Sequence, residues 1–336
     1  MAWYDKNGKE KDMILSSRVR FARNLADYPF ASKMDETSAR EIIEKIEYAL
    51  GNEYIKTDMA SLSTLDALSL VEKHKISREF AEKKLPHALF CDKNEEIFLM
   101  ACEEDHIRLQ CILPGYDLER AYERARECDA VLGEKLKLAY DDRLGYLTHC
   151  PTNLGTGMRA SVMMFLPALT HTKKIASLSS QLSKLGLTIR GMYGEGSGGA
   201  GMLYQISNQV TLGISEEETL SKLREVISQI CELEKKYREA IKDNPENALD
   251  DRIGRAEGIL RYAKRMSSSE FMKLYSDVRL GISLGYTKGI TLEELDTLFV
   301  GILPATLTLV SNEASRPENE EARDRARASF IKDALN

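Results

Sequence analysis

An α+β fold, a mainly antiparallel sheet flanked by helices and followed by a small all-α domain, is predicted by three stretches of the sequence. Two apolar or alternating segments, Ile97 to Cys102 and Ile107 to Ile112, are separated by four polar residues, Glu103 to His106, as in a hairpin. Residues 215 to 242 place Leu220, Leu223, Val226, Ile227, Ile230, Leu233, Tyr237 and Ile241 at three- and four-residue intervals, the spacing of one long amphipathic helix. From residue 250 onward the pattern is helical, without strand signals.

Along the chain, Ser16 to Asn24 reads as an extended segment in which Arg18 and Arg20, two apart, point to one face. Residues 36 to 50 and 117 to 139 read as helices. Met158 to Leu166 alternates, with Arg159 and Ser161 on one side and Ala160 and Val162 on the other. Leu187 to Arg190 and Tyr204 to Leu212 read as strands flanking a loop in which Gly194, Gly196, Gly198, Gly199 and Gly201 free the backbone. Ser215 and Glu218 form a capping box for the long helix. The stretch Lys242 to Leu249, with Asn244 and Pro245, breaks it, which sets domains at 1–245 and 246–336.

With 47 Lys+Arg against 53 Asp+Glu, a net charge of −6 and 43% hydrophobic residues, 336 residues have the composition of a globular protein, not of a disordered chain. No apolar run reaches the ~20 residues of a membrane helix. Met1 to Asp12 is polar where a signal peptide is apolar, so a cytoplasmic protein is expected. Six cysteines show no C-x-x-C pair and five histidines no H-E-x-x-H, so neither a zinc site nor a disulfide framework is expected. Mild acidity argues against nucleic acid as the main partner.

Four segments carry chemistry. Arg18 and Arg20 on one strand face suit phosphate oxygens, although the same alternation fits a solvated strand edge. Cys150 to Ser161 contains Gly155, Gly157 and Ala160, a loose dinucleotide fingerprint. No Asp or Glu occurs from Ser161 to Gly194 to hold a ribose, so a nicotinamide enzyme is disfavoured and an acid-poor, polyanion-friendly region remains. Arg190 to Gly199 is a glycine-rich loop with Arg190 at its head and Glu195 inside it; with no Walker A motif anywhere, arginines are left to hold nucleotide phosphates. The hairpin tip Glu103-Glu104-Asp105-His106, on charge alone, reads as an acidic turn in solvent.

Taken in order, Ser16-Ser17-Arg18-Val19-Arg20-Phe21-Ala22-Arg23-Asn24, Glu103 to Arg108, Cys150 to Val162, Arg190-Gly191 with Gly194-Glu195, and Ile206-Ser207-Asn208 resemble the phosphagen (ATP:guanido) kinases over roughly residues 12 to 245. Only fifteen residues precede Ser16, where free-guanidine kinases carry a helical domain, so a more open site is expected. The tail Arg323-Asp324-Arg325-Ala326-Arg327-Ala328 resembles the R-D-x-x-R-A signature of the bacterial protein-arginine kinase branch, the McsB type. On residues alone that tail is a solvated, salt-bridged helix face on which Arg323 and Arg327, four apart, are neighbours.

The resemblance implies a catalytic pair, Glu104 and Glu195. It implies nucleotide contacts at Ser16, Ser17, Arg18, Val19, Arg20, His74, Arg108, Arg159, Ala160, Ser161, Val162, Met163, Arg190, Gly191, Met192, Tyr193 and Gly194. Cys150 corresponds to an active-site cysteine that tunes the site. Arg323, Asp324, Arg327 and Ala328 correspond to an allosteric phosphoarginine site in the second domain. ATP is the implied phosphoryl donor, with Mg²⁺ held by the nucleotide. The implied partners are protein substrates, a homodimer mate, an activator protein, a heat-shock repressor and the Clp protease machinery. Phosphorylation of protein arginines as a degradation mark under stress is the expected function; the alternatives are a kinase of free arginine or another small guanidine, and an inactive phosphoarginine-binding adaptor.

Overall fold

The computed structural model describes residues 3–4, 6–192, 200–242, 248–311 and 319–335. Among them eight strands form one antiparallel sheet, ordered β2 (Tyr54–Asp58), β3 (Ala88–Asp92), β4 (Ile97–Ala101), β5 (Ile107–Pro114), β1 (Ile14–Arg23), β8 (Met158–Phe165), β10 (Leu203–Asn208) and β9 (Leu187–Gly191). A two-stranded hairpin, β6 (Tyr140–Asp141) and β7 (Gly145–Tyr146), stands apart. The expected hairpin over 97–112 is β4 and β5. The segment bearing Arg18 and Arg20 is not a solvated edge: β1 is paired on both sides, by β5 and β8.

Because side chains alternate across a strand, the register fixes two faces. Val19 and Phe21 of β1, Leu109 and Cys111 of β5, and Ala160 and Val162 of β8 share one apolar core with Ile42 and Ile46 of α1 (Glu36–Leu50), Ala121 and Ala125 of α4 (Leu118–Lys135), and Leu223, Ile227 and Ile230 of α7 (Glu216–Lys242). The predicted capping box of α7 is present, with Glu218 N donating to Ser215 Oγ and Ser215 N to Glu218 Oε2.

A second core lies on the other side. There Phe98, Met100, Met163 and Phe165 of the sheet pack with Phe271 and Tyr275 of α9 (Ser268–Leu284), Leu298 and Phe299 of α10 (Leu292–Gly301) and Ile331 of α12 (Glu320–Leu335). The C-terminal helices, which also include α8 (Leu249–Tyr262) and α11 (Pro304–Val310), thus share a core with the sheet instead of forming a free-standing body. Polar ties reinforce the joint. Glu72, which ends α2 (Thr64–Glu72), accepts the backbone N–H of Ala305 and Thr306 at 2.8 and 2.7 Å, and Arg279 donates to Asp296 and to the Lys11 carbonyl. The predicted linker falls largely on residues 243–247, outside the described residues.

Several boundaries differ from expectation by one to four residues. The strand expected to reach Leu212 stops at Asn208, whose side-chain amide turns back to the carbonyls of Met158 and Val210 and whose Oδ1 accepts the Ala160 N–H. The helix expected to reach 139 stops at Lys135, and Ala139 N donates instead to Asn24 O at 2.7 Å. Strand β4 ends one residue early because Cys102 takes a left-handed φ of 65°. Strand β2 carried no hydrophobic signal, being a mostly exposed edge.

Candidate active site

On the face opposite the first core, β1 presents Ser16, Arg18 and Arg20. Directly across, β8 presents Met163 to Ser16, Ser161 to Arg18 and Arg159 to Arg20; β5 presents Gln110 to Arg20 and, two residues on, Arg108. Strand β10 adds Gln205 beside Met163, and edge strand β9 adds Arg190 beside Gln205. Four strands thereby bring all five predicted clamp arginines to one surface. Like charges directly opposed across a pair of strands destabilise a sheet, and Arg20 against Arg159 is such a pair.

The electrostatics describe a site short of negative charge. Burial, with Arg108 and Arg159 nearby, pushes Arg18 down to about 10. Burial, followed by Arg18, Arg108 and Arg159, pushes Arg20 well below its ordinary value. Arg159 is lowered by burial and then by Arg190 and Arg108. Arg20 Nε is buried with no hydrogen-bond partner among the described residues, an orphan donor that an oxyanion would satisfy. Ser17, Val19, Ala160 and Val162, expected at the nucleotide, turn their side chains away from this surface: Val19, Ala160 and Val162 lie in the first core, and Ser17 Oγ is spent on Gly115 O and Asp117 N. Met192 is buried in the second core and Gly191 pairs with Tyr204 at the end of β9.

The acidic tip is not a solvated turn. Glu103 is buried and accepts from Ser77 Oγ, Arg108 Nη1 and the Glu104 backbone; burial pushes its carboxyl up, but Arg108 and these hydrogen bonds outweigh that and hold it below the usual range. Asp105 Oδ1 accepts from Asn24 Nδ2 and from His149 N, both at 2.6 Å. His106 Nδ1 accepts the Leu25 N–H at 3.0 Å while Nε2 lies 2.9 Å from Pro29 O, which places the ring hydrogen on Nε2. Only Glu104 is exposed. Its carboxyl is raised by partial burial and then by the charges of Asp105 and Glu103.

Glu104 borders a cavity of about 190 Å³ with Arg20, Arg108, Arg159 and Cys150. Two glycines with positive φ let the turn bearing Cys150 pack closely on its neighbours: a Cβ on Gly157 would lie 2.6 Å from Arg23 Nη1 at the end of β1, and one on Gly155 2.2 Å from Thr211 O, beyond β10. Cys150 Sγ lies 3.0 Å from Thr152 Oγ1. A second pocket continues along the sheet, lined by Ser16, Arg18, His74, Ser161, Met163 and Gln205 among others. His74, half-buried at the end of α2, is pushed down to about 4 by burial and then by Arg18, so its ring is neutral. Glu195, Tyr193 and Gly194 lie outside the described residues.

Sequence reasoning passed over Glu103 and Asn208, which hold the reactive groups in place from inside the quoted motifs, and Gln205, Gln110 and Trp3, which lie outside them. Gln205 and Gln110 had a signal, since each alternates in phase with a clamp arginine across the sheet.

In the tail, Arg327 is buried and turned inward, donating to Met266 O, Ile302 O and Asp324 Oδ1 at 2.7, 3.1 and 2.5 Å. Arg323 instead borders a groove of about 310 Å³ with Glu72, Arg78 and the start of α11. The two arginines of the signature, one helical turn apart, are therefore placed differently: one is fixed inside, the other borders the groove. Ala328 is buried behind them.

Comparison with known proteins agrees with this geometry. Residues 35–237 match the family described as ATP:guanido phosphotransferase, C-terminal catalytic domain, and residues 246–336 the protein-arginine kinase McsB C-terminal domain. The protein-arginine kinase of Caldanaerobacter subterraneus subsp. tengcongensis is 43% identical over 335 residues, covering 97% of this chain and 98% of that one; that of Clostridium tetani is 42% identical, covering 99% and 98%. Among solved structures, a duplicated taurocyamine kinase from Schistosoma mansoni with bound transition-state analogue components superposes with a TM-score of 0.64 at 25% identity, over 81% of this chain and 40% of that one. A lombricine kinase, at 23% identity and a TM-score of 0.61 over 67% of each chain, shares the fold.

Proposed function

The chain belongs to the ATP:guanido phosphotransferase family, and from that premise we propose that it is a protein-arginine kinase, transferring the terminal phosphoryl group of ATP to arginine side chains of proteins. The observation that carries this reading is the surface just described: five arginines from four strands beside one exposed, raised carboxylate.

A guanidinium is protonated far above neutral pH and is a poor nucleophile until it loses a proton. Glu104 is placed to hold one edge of the incoming guanidinium and accept that proton, and its raised pKa makes it the better base. By resemblance Glu195 holds the other edge. The guanidine nitrogen then bonds to the terminal phosphorus as the bond to the bridging oxygen breaks, and ADP leaves. Arg18, Arg20, Arg108, Arg159 and Arg190 orient the phosphates and neutralise the oxygens on which charge builds; this positioning is most of what phosphoryl transfer asks of a protein. Mg²⁺, when bound to the nucleotide, adds further neutralisation. Cys150 borders the cleft, and by resemblance it tunes the site without forming a covalent bond.

The exposure of Glu104 fits a guanidinium carried on a protein surface. The further roles we propose rest on resemblance: a cytoplasmic homodimer that marks proteins for the Clp protease under stress, with an activator protein and a heat-shock repressor as partners, and phosphoarginine taken up beside Arg323. None of the helices among the described residues is long and apolar enough to cross a membrane.

The test is incubation with Mg-ATP and a positively charged, partly unfolded protein, followed by mass spectrometry under mild, non-acidic work-up. Phosphate on arginine is expected. Its absence, or turnover of free arginine alone, would overturn the reading.

A further inference from the structure

We propose that Asn24 is a positioning residue for the phosphoryl acceptor: its buried side-chain amide ties the acidic tip that carries Glu104 to the turn that carries Cys150, and so fixes the gap that a guanidinium enters. This rests on the reading of Glu104 as the base.

Glu104 and Cys150 border the cavity of about 190 Å³ from two separate segments. The last residue pair of β1 with β5 is Arg23 with Ile107, so the tip extends past the end of their ladder. At that point the backbone of β1 leaves it: Asn24 O accepts from Ala139 N at 2.7 Å, and Leu25 bridges to Leu138. The Asn24 side chain takes over. Its Oδ1 accepts His106 N at 2.9 Å, in place of a backbone carbonyl, while its Nδ2 donates to Asp105 Oδ1 at 2.6 Å and to Leu147 O at 3.0 Å. Asp105 Oδ1 also accepts His149 N at 2.6 Å. Asn24 therefore grips the tip just after Glu104 and, directly and through Asp105, the turn just before Cys150.

An amide is the side chain these bonds require. It offers two N–H groups and one oxygen, and all three are used. A carboxylate at this place would have no hydrogen to give and would oppose Asp105; an alanine would remove all three bonds. Asn24, Asp105 and His106 are 1, 2 and 0% exposed, so water does not replace what is lost. On the other flank Glu103 is anchored by Ser77 and Arg108, which leaves the link to the Cys150 turn to Asn24 and Asp105. The clamp arginines are placed by strand register instead, so acceptor placement and nucleotide binding are separable.

The experiment compares the full-length wild type, Asn24→Ala, Asn24→Asp and the exchange of Asn24→Asp with Asp105→Asn. Melting temperature, ATP binding by calorimetry, and kcat and KM for ATP and for a partly unfolded, positively charged protein are measured. Because a misplacement of about 1 Å costs up to ~10²-fold, Asn24→Ala should lower kcat roughly thirtyfold and raise KM for the protein, with ATP affinity within about twofold of wild type. Asn24→Asp should fall at least as far, and the exchange, which restores an amide facing a carboxylate, should recover at least about fivefold of that loss. A folded Asn24→Ala with wild-type kcat and KM overturns the proposal. So does one whose ATP affinity falls in step with kcat, and so does an exchange no better than Asn24→Asp. Should both single variants fail to fold, the exchange decides: it should fold with kcat within about thirtyfold of wild type, and a larger loss or a failure to fold overturns the proposal. A wild type that phosphorylates no arginine, or a Glu104→Gln that turns over like wild type, removes the reading on which this rests, a different failure from that of Asn24.

Discussion

The acidic tip of the β4–β5 hairpin and the arginine-rich start of α12 are both short runs of charge, and both read in sequence as solvated surface. Each instead contains a buried frame: the tip exposes Glu104 alone, while the start of α12 leaves Arg323 half-buried and Arg325 exposed. At the tip, Glu103, Asp105 and His106 are consumed by Arg108, Ser77, Asn24 and backbone partners, which leaves Glu104 facing the cleft. In α12, Arg327 is consumed by Asp324 and two carbonyls, which leaves Arg323 at the groove. A charge is tolerated inside only when paired and hydrogen-bonded, so the partners mark which residues hold the structure and which stay accessible.

The comparison can be broken by substitution. Glu104→Gln, which keeps the shape and removes the base, should lower kcat by roughly 10³-fold with ATP binding and thermal stability little changed; a variant within tenfold of wild type would show that Glu104 is frame as well. Arg327→Ala, which strands two carbonyls in the interior and leaves the half-buried Asp324 without its partner, should cost about 3 kcal/mol of unfolding free energy by chemical denaturation. A change below about 0.5 kcal/mol, the size of an ordinary surface substitution, would remove Arg327 from the frame.

Glu103→Gln sharpens the division at the tip. Losing its charge frees Arg108 and also removes one of the like charges that raise Glu104. Wild-type activity should fall as pH drops through the raised Glu104 value, because the base must be deprotonated; in Glu103→Gln that acid limb should move to lower pH while the maximum drops roughly tenfold. An unmoved limb in a pH–rate profile would disconnect the two carboxylates. The smallest effect is expected of Arg323→Ala: stability within about 0.5 kcal/mol of wild type by thermal melting, with binding of free phosphoarginine to the groove lost. Retained binding would detach the groove from Arg323.

Much of this was legible beforehand. The hairpin over 97–112, the helix over 216–242 with its Ser215 cap, and the helical character of the tail follow from periodicity, because local burial repeats at 2 or 3.6 residues. Arg18, Arg20 and Arg159 could be placed on strand faces by the same alternation. What stayed hidden was edge strand β2, whose exposed residues carry no pattern, and the inward turn of Glu103, Asp105 and Arg327, whose partners lie 26, 81 and 61 residues away.

The sequence by itself determined the long helices, most of the sheet's inner strands and the residue types that phosphoryl transfer to a guanidine needs, since these are local properties of composition and spacing. Only the tertiary structure decided that β1 lies at the centre of the sheet and that four strands in register turn five arginines to one surface. Register and burial are set by pairings between distant segments, and a charged side chain looks the same in sequence whether its partner is water or the other half of the fold.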